Sequence, residues 1–413
     1  MPGLTAVLPR SHRGRVLAAG ALLDASATGV YLAVATLYFV GYVGIAATRV
    51  GLALSIANVC GLLVPMPVAR LTRKLGVAPV YITLLVLRGF GMAGYMLANG
   101  YWRYLFVTSF FIAASRAGLP MLQVLVGQLD GEEDDRTRVM ASLRTVNNVG
   151  LSVGFMLAAG VQLLHSGLAY RLLFAAGGLA FIGVSLVTTA ACRGMTAPVP
   201  PPAERRSRTV YRDGRFLTVA AANAVLLLHD SMLFILIPLW VVRRCGLPPT
   251  VSSILLVLNT VITVLIQVHA AKYAKGSRGA LRVLRWAVVA LAAASVFLGL
   301  AGRGTDWELV IMLAVAVILL TVGENLQAVA GWELSFVLSP PAQRPQYLSL
   351  FSLGYTGQLI IGPVLMTAVV LPWGMPGVAL MTGLFVVAAA VTWAAARDSG
   401  PEQVPKPRQQ VSA

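Results

Sequence analysis

The sequence predicts an all-α membrane protein of twelve transmembrane helices in two pseudo-symmetric six-helix bundles, and three observations predict it. Of 413 residues, 58% are hydrophobic and 11% charged, whereas a soluble domain carries about a quarter charged residues. Lipid is therefore the solvent for most of this surface. Apolar runs of the roughly 20 residues needed to cross a hydrocarbon core of about 30 Å recur along the whole chain. The sixth and seventh runs are separated by the longest polar stretch, which includes Pro198 and the run Pro200, Pro201, Pro202 followed by Glu204, Arg205 and Arg206. Such a segment reads as a proline-stiffened linker between two halves.

The twelve runs begin near Val16, Val50, Val77, Arg103, Val139, Ala169, Phe216, Thr250, Ala280, Glu308, Gln346 and Met375. The expected organisation is a cytoplasmic N-terminus over 1–15, a first bundle over 16–191, a cytoplasmic linker over 192–215, a second bundle over 216–396 and a cytoplasmic tail over 397–413. The first run follows Arg10, Arg13 and Arg15 as a secretory leader would, but it is long, contains Asp24 and precedes eleven further runs. It reads as an uncleaved first helix.

A net charge of +17 would point to nucleic acid in a soluble protein. Here the charge sits in short loops and forms no basic face interleaved with aromatics, which excludes that partner. With the N-terminus inside, cytoplasmic segments hold roughly 23 of the 32 Lys and Arg and external loops about six (Arg49, Arg103, Arg171, Arg243, Arg244 and Arg303). The positive-inside rule thus places both termini in the cytoplasm, here of a bacterial inner membrane, and lipid takes up the excess charge. Tyr38, Trp102, Trp240 and Trp307 near the span ends read as interface aromatics.

Nothing suggests catalysis. Cys60, Cys192 and Cys245 have no metal-like spacing, the four histidines are scattered, and no phosphate-binding glycine loop occurs. The expectation is a protein that is not an enzyme, has no cofactor or metal, and acts as a monomer on a small solute, driven by an ion gradient or downhill.

An ionisable group deep in a membrane is costly and is a functional candidate by default. Five lie within predicted spans: Asp24 in the first, Arg88 in the third, Arg116 in the fourth, Asp230 in the seventh and Glu324 in the tenth. Asp24 and Asp230 are 206 residues apart, Arg116 and Glu324 are 208 apart, so the offsets agree within a helical turn, as an internal repeat requires. Thr28, Tyr31, Gln123, Asn223 and Gln327 share helical faces with these charges and read as substrate-binding polar groups. Interhelical hydrogen bonding is the alternative role for each. For Asp230 a purely structural pairing with the adjacent His229 is as good a reading, and Glu333 near the end of the tenth span reads as a loop-pairing residue.

With its twelve spans, central linker and repeat, the chain resembles the major facilitator superfamily, most closely its bacterial drug:proton antiporters, from about Arg15 to Arg397. The stretch PVARLTRKLG over 67–76 carries the basic residues Arg70, Arg73 and Lys74 of the motif that follows the second span, with Thr72 at its acidic position. Arg116 in SRAGLPMLQ matches the family's buried arginine. The fifth span keeps Gly150 and Gly154 of a glycine-rich antiporter motif but has Phe155 where proline would stand, and a Gly-Pro pair occurs instead at Gly362 and Pro363 in the eleventh.

The resemblance implies that spans one, four, seven and ten line a central cavity. It implies proton coupling through Asp24, Arg116, Asp230 and Glu324, with Arg88 structural at the periphery. At about 1.5 Å per residue Asp24 and Arg116 both lie near mid-depth, so a pair between them across the cavity is geometrically possible. Arg70, Arg73, Lys74 and Arg144 form the expected cytoplasmic gate, closing on Asp130, Glu132, Glu133, Asp134 and Asp135. Gly150, Gly154, Gly357, Gly362 and Pro363 form the expected hinge and packing surfaces of alternating access. The implied function is proton-coupled export of a small amphipathic organic compound. A proton symporter importing a metabolite, and a non-transporting membrane sensor or scaffold, use the same features.

Overall fold

A computed structural model describes residues 12–127, 133–192, 211–270, 274, 276–302, 304–340 and 343–397. Its twelve long helices are α1 (His12–Gly41), α2 (Ala47–Leu63), α3 (Val77–Gly94), α4 (Tyr101–Gly127), α5 (Glu133–Leu163) and α6 (Gly167–Cys192). The second half holds α7 (Gly214–Arg243), α8 (Pro249–Ala270), α9 (Gly276–Leu300), α10 (Asp306–Val337), α11 (Gln346–Trp373) and α12 (Met375–Ala396). Ten of these are long and apolar enough to cross a membrane. The other two are α2, at 17 residues, and α4, at 27. The linker at 193–210 lies outside the described residues.

Local chemistry sets several ends. A capping box opens α10, where Glu308 Oε2 accepts from the Thr305 backbone N–H at 2.8 Å. Asp213 caps α7 by accepting from Phe216 N at 3.0 Å, and its other oxygen accepts from Tyr347 Oη at 3.1 Å, which ties the start of α7 to α11. Glu333 Oε1 accepts from Gly276 N at 2.6 Å, so it fixes the start of α9, in the loop-pairing role expected of it. Beyond α2, only Val64 intervenes before an amphipathic helix at Pro65–Leu75 that carries the basic motif. Gly76 ends it at φ +87°, a backbone state that favours glycine.

Two helices are interrupted. In α7 a π-turn spans Met232–Leu236 just before Pro238, and in α11 another spans Leu365–Val370 between Pro363 and Pro372. Proline offers no N–H and crowds the preceding turn, and a widened turn takes up the mismatch. Both interruptions therefore fall where α7 and α11 face the other half.

In the first half α1 packs on α5 and α6, α2 on α4, and α3 on α4 and α6; in the second, α9 packs on α10 and α12, α8 on α10, and α7 on α11 and α12. The halves meet through α2 with α11, α5 with α8, and the last part of α1 with the last part of α7. Their interiors differ. The first is aromatic: Phe39, Tyr95, Tyr104, Phe111, Phe174 and Phe181 are buried and lie ring against ring with centroids 4.3–6.3 Å apart. The second is built mainly of Leu, Val, Ile and Ala around α9 and α10.

Two of the four expected interface aromatics are exposed, Trp102 and Trp307, while Tyr38 and Trp240 are buried. Tyr38 joins the aromatic interior and accepts from Arg171 Nε at 3.2 Å, and Trp240 Nε1 donates to the Ala301 carbonyl at 2.8 Å. Both occupy helix faces turned inward, so position near a span end was a poor guide to orientation.

The glycines also divide. A Cβ on Gly150 would lie 2.6 Å from the Leu22 carbonyl oxygen, and one on Gly154 would collide with the Ser26 carbonyl, so both serve close packing of α5 on α1 within one half. Gly362 meets Ser231 of α7, again within its own half, while Gly357 has open space around it. Pro363 belongs to the boundary between halves: its carbonyl would stand 2.6 Å from a Cβ on Gly51 of α2, a close approach that the sequence reading missed. Glycine at 51 is what allows α2 and α11 to touch.

Candidate functional site

At the centre lies a cavity of about 280 Å³, lined by α1, α2, α4 and, through Arg88, α3 from one half and by α7 and α11 from the other. At the end of the bundle where α1 meets α2, Ser253 Oγ of α8 donates to Gln162 Oε1 of α5 at 2.8 Å, and both residues are buried. This hydrogen bond joins the halves on that side.

The charges of the first half do not pair as expected. Asp24 is held by Arg88 rather than Arg116: Nη1 donates to Oδ2 at 2.6 Å and Nη2 to Oδ1 at 3.1 Å, with Nη2 also 3.3 Å from Thr28 Oγ1. Thr28 Oγ1 donates to Asp24 Oδ1 at 3.4 Å. The guanidinium lies over the Phe181 ring at 4.2 Å, and Arg88 is 8% exposed. A bidentate pair with its flanks covered is the geometry that compensates a buried charge. Arg88 is therefore the partner of Asp24 and no peripheral residue. Either mid-span arginine would have served in the sequence, and only the packing of α1, α3 and α6 decides.

Arg116 instead donates from Nη2 to Asn58 Oδ1 of α2 at 2.6 Å, and its guanidinium carbon is 5.9 Å from the Tyr355 ring of α11. Among the described residues no carboxylate forms an ion pair with it. Asn58 was missed, although an amide inside the largely apolar stretch of α2 beyond Arg49 was the available signal.

In the second half Glu324 Oε2 accepts from Asn259 Nδ2 of α8 at 3.2 Å, and the same amide donates to Thr321 Oγ1 at 2.9 Å. Asp230 Oδ1 lies 3.3 Å from His229 Nδ1, the pairing that adjacency in sequence allowed. His229 Nε2 is 3.2 Å from Gln327 Oε1, and Gln327 Nε2 donates to Asn223 Oδ1 at 2.7 Å. Asn223, His229 and Gln327 are buried, so the two amides form an interhelical chain and do not line the cavity, against the substrate-binding role expected of them. Ser231 Oγ donates to Gln358 Oε1 at 2.9 Å, and both line the cavity, a pair that went unrecognised because neither is charged.

Of the expected cavity residues, Thr28, Tyr31, Arg116, Asp230 and Pro363 line it. The side chains of Gln123, Arg73 and Arg144 lie outside the described residues, as does the acidic run, and Arg70 and Lys74 are exposed on the helix that follows α2. Among the described residues no group of three or more His, Cys, Asp or Glu stands together as a metal site.

The sequence matches the family described as Major Facilitator Superfamily over residues 16–331 and 219–413. The chain belongs to this superfamily. No curated protein matches. Among solved structures, a mutant of the nucleoside transporter NupG superposes with a TM-score of 0.79 at 15% identity, covering 93% of this chain and all of that one. A bacterial homologue of the iron transporter ferroportin in an inward-facing state gives 0.76 at 15% identity over 97% of this chain and 100% of that one. A bacterial homologue of the human lysosomal transporter Spinster, inward-facing and occupied, gives 0.70 at 14% over 94% and 97%. At these identities the major facilitator fold is what is shared. The chain is thus a multi-pass membrane transporter of that superfamily, with a central cavity bounded by both halves.

Proposed function

We propose that this transporter, a monomer in a bacterial inner membrane with both termini inside, exports a small amphipathic organic compound in exchange for protons by alternating access. The observation that carries the reading is a difference in lone-pair occupancy among its acids. Both oxygens of Asp24 are engaged by Arg88 and Thr28, so its charge is already matched between α1 and α3. Glu324 has only a neutral amide on Oε2, and Asp230 lies on the cavity wall with only His229 beside it. Proton traffic is accordingly assigned to Asp230 and Glu324, Asp24 becomes the acid that positions α1 against α3, and Arg116 becomes the sensor of cavity contents. Export is supported by the resemblance at Arg70, Arg73, Lys74 and Arg116.

A symporter running inward is the second reading, favoured by Phe155, which replaces the proline of the antiporter motif and is buried. Respiring everted vesicles containing the protein separate the two. A panel of small amphipathic solutes is added outside while a dye reports luminal pH. Exchange raises luminal pH on addition of a solute that is carried, and the rise disappears in Glu324→Gln and Asp230→Asn. Further acidification overturns export in favour of symport. Labelled-solute uptake without any pH change overturns proton coupling.

A further inference from the structure

We infer that the central cavity selects a small zwitterion, binding a carboxylate or similar anion at Arg116 and an ammonium at Asp230. The inference rests on the reading above in one respect, that this cavity is where the transported compound sits.

The cavity wall carries an arginine from one half and an aspartate from the other. On α4, Arg116 has five N–H groups, of which one is committed to a neutral acceptor, Asn58, and none of its nitrogens is both buried and unpartnered. Arg116 lines the cavity, so donors not taken by Asn58 are available to a ligand there. Their planar fork matches a carboxylate bidentately. On α7, the Asp230 side chain is 21% exposed, lines the same cavity and has no arginine or lysine partner among the described residues. The other acids compete poorly for a cationic ligand. Asp24 is closed by Arg88, and Glu324 is turned to Asn259 of α8, off the cavity wall.

The rest of the lining is largely apolar and aromatic, with Tyr31, Phe111, Phe234 and Tyr355, and its other charged member, Arg88, is already matched by Asp24. A ligand with only a positive charge leaves Arg116 uncompensated as water is expelled, and one with only a negative charge does the same to Asp230. Either costs free energy that a ligand carrying both charges avoids. The volume of about 280 Å³ falls at the small end of ligand sites, so the frame between the charges is a single ring or a short branched chain.

The test is thermal unfolding and titration of the purified full chain with matched trios on one frame: phenylalanine, phenethylamine and 3-phenylpropanoate; leucine, isoamylamine and 4-methylpentanoate. The expected result is that the zwitterion of at least one trio stabilises the protein and binds about tenfold or more tighter than its amine and its acid, the size of one charged hydrogen-bonded contact. Arg116→Ala then lowers zwitterion affinity to that of the amine, and Asp230→Asn lowers it to that of the acid. Arg116→Lys, which keeps the charge, serves where the alanine variant does not fold, and it retains part of the preference. Amines or acids binding as well as the zwitterions, or no zwitterion binding at all, overturns the inference. Because binding needs no gradient, selectivity in the titration with no pH response in vesicles sinks proton coupling alone. A pH response to amines only, with no zwitterion bound, sinks the zwitterion site alone.

Discussion

In the first half the acid of α1, Asp24, is clamped by an arginine from α3, and the base of α4, Arg116, rests on a neutral amide from α2. In the second half the acid of α7, Asp230, has no such clamp, and the acid of α10, Glu324, rests on a neutral amide from α8. The amides Asn58 and Asn259 are 201 positions apart, close to the 206 and 208 that separate the charges they accompany. One is an acceptor and the other a donor, so an asparagine in the same place of each repeat serves a base in one half and an acid in the other. Carrying Arg88 forward by 201 to 208 positions reaches 289–296, where no residue is ionisable. The two halves share these polar positions at similar offsets and differ in one clamp. In the second half, without that clamp, a carboxylate lines the cavity.

The strongest way to break this comparison is Arg88→Ala. It leaves Asp24 without its cation in a partly buried site, and removing one partner of a fully buried pair costs about 3 kcal/mol or more, which is the upper bound here. A large fall in the unfolding temperature in detergent is expected, with much of it restored by adding Asp24→Asn. An unchanged midpoint would show that the clamp holds nothing. Gly154→Ala comes next, since the added methyl meets the Ser26 carbonyl of α1, at about 1–3 kcal/mol for overpacking. Its destabilisation should appear in hydrogen exchange along α1 and α5 and leave the second half alone. Asn58→Asp sharpens the comparison by closing Arg116 in a pair like that of Arg88. Solute binding should weaken roughly tenfold while the fold survives, and undiminished affinity would remove Arg116 from the site. The smallest effect is that of Gly357→Ala. The position has no atom within 4 Å of an added Cβ, so helix propensity alone should raise stability by about 0.5–1 kcal/mol, and a loss would mean that α11 approaches another helix there in a second state.

Much of the fold was legible in the chain because membrane thickness dictates helix length. The predicted starts Val77, Phe216, Thr250 and Met375 fall within two residues of the observed ones, whereas Val139 lies six residues inside α5, whose first turns are the polar stretch EDDRTR. Hydropathy sees apolar runs and is blind to a helix that continues past the lipid. The charged residues of the site were legible for the same energetic reason, since a mid-span charge is rare. Their partners were not. Asp24 could reach Arg88 or Arg116, and the choice depends on how α1, α3 and α4 rotate about their axes. The amides Asn58, Asn259 and Gln358 were passed over because an uncharged polar group in a membrane helix is common and its role is set by what faces it. For Asn223 and Gln327 the sequence left substrate binding and interhelical hydrogen bonding both open, because sharing a helical face with a charge fixes direction around one axis but not which neighbour lies there; the structure shows the hydrogen bond.

The buried contact between Ser253 and Gln162 bears on how evenly the two access states are balanced. When the seam between α5 and α8 parts, each group exchanges its protein partner for water, and the net loss is about 1 kcal/mol, or roughly a fivefold change in occupancy. An ionic lock at that spot would hold one state too firmly for repeated turnover. In the proposed cycle a neutral pair aligns the helices when they close and adds only this small cost to their parting, so the seam guides reassembly without locking it.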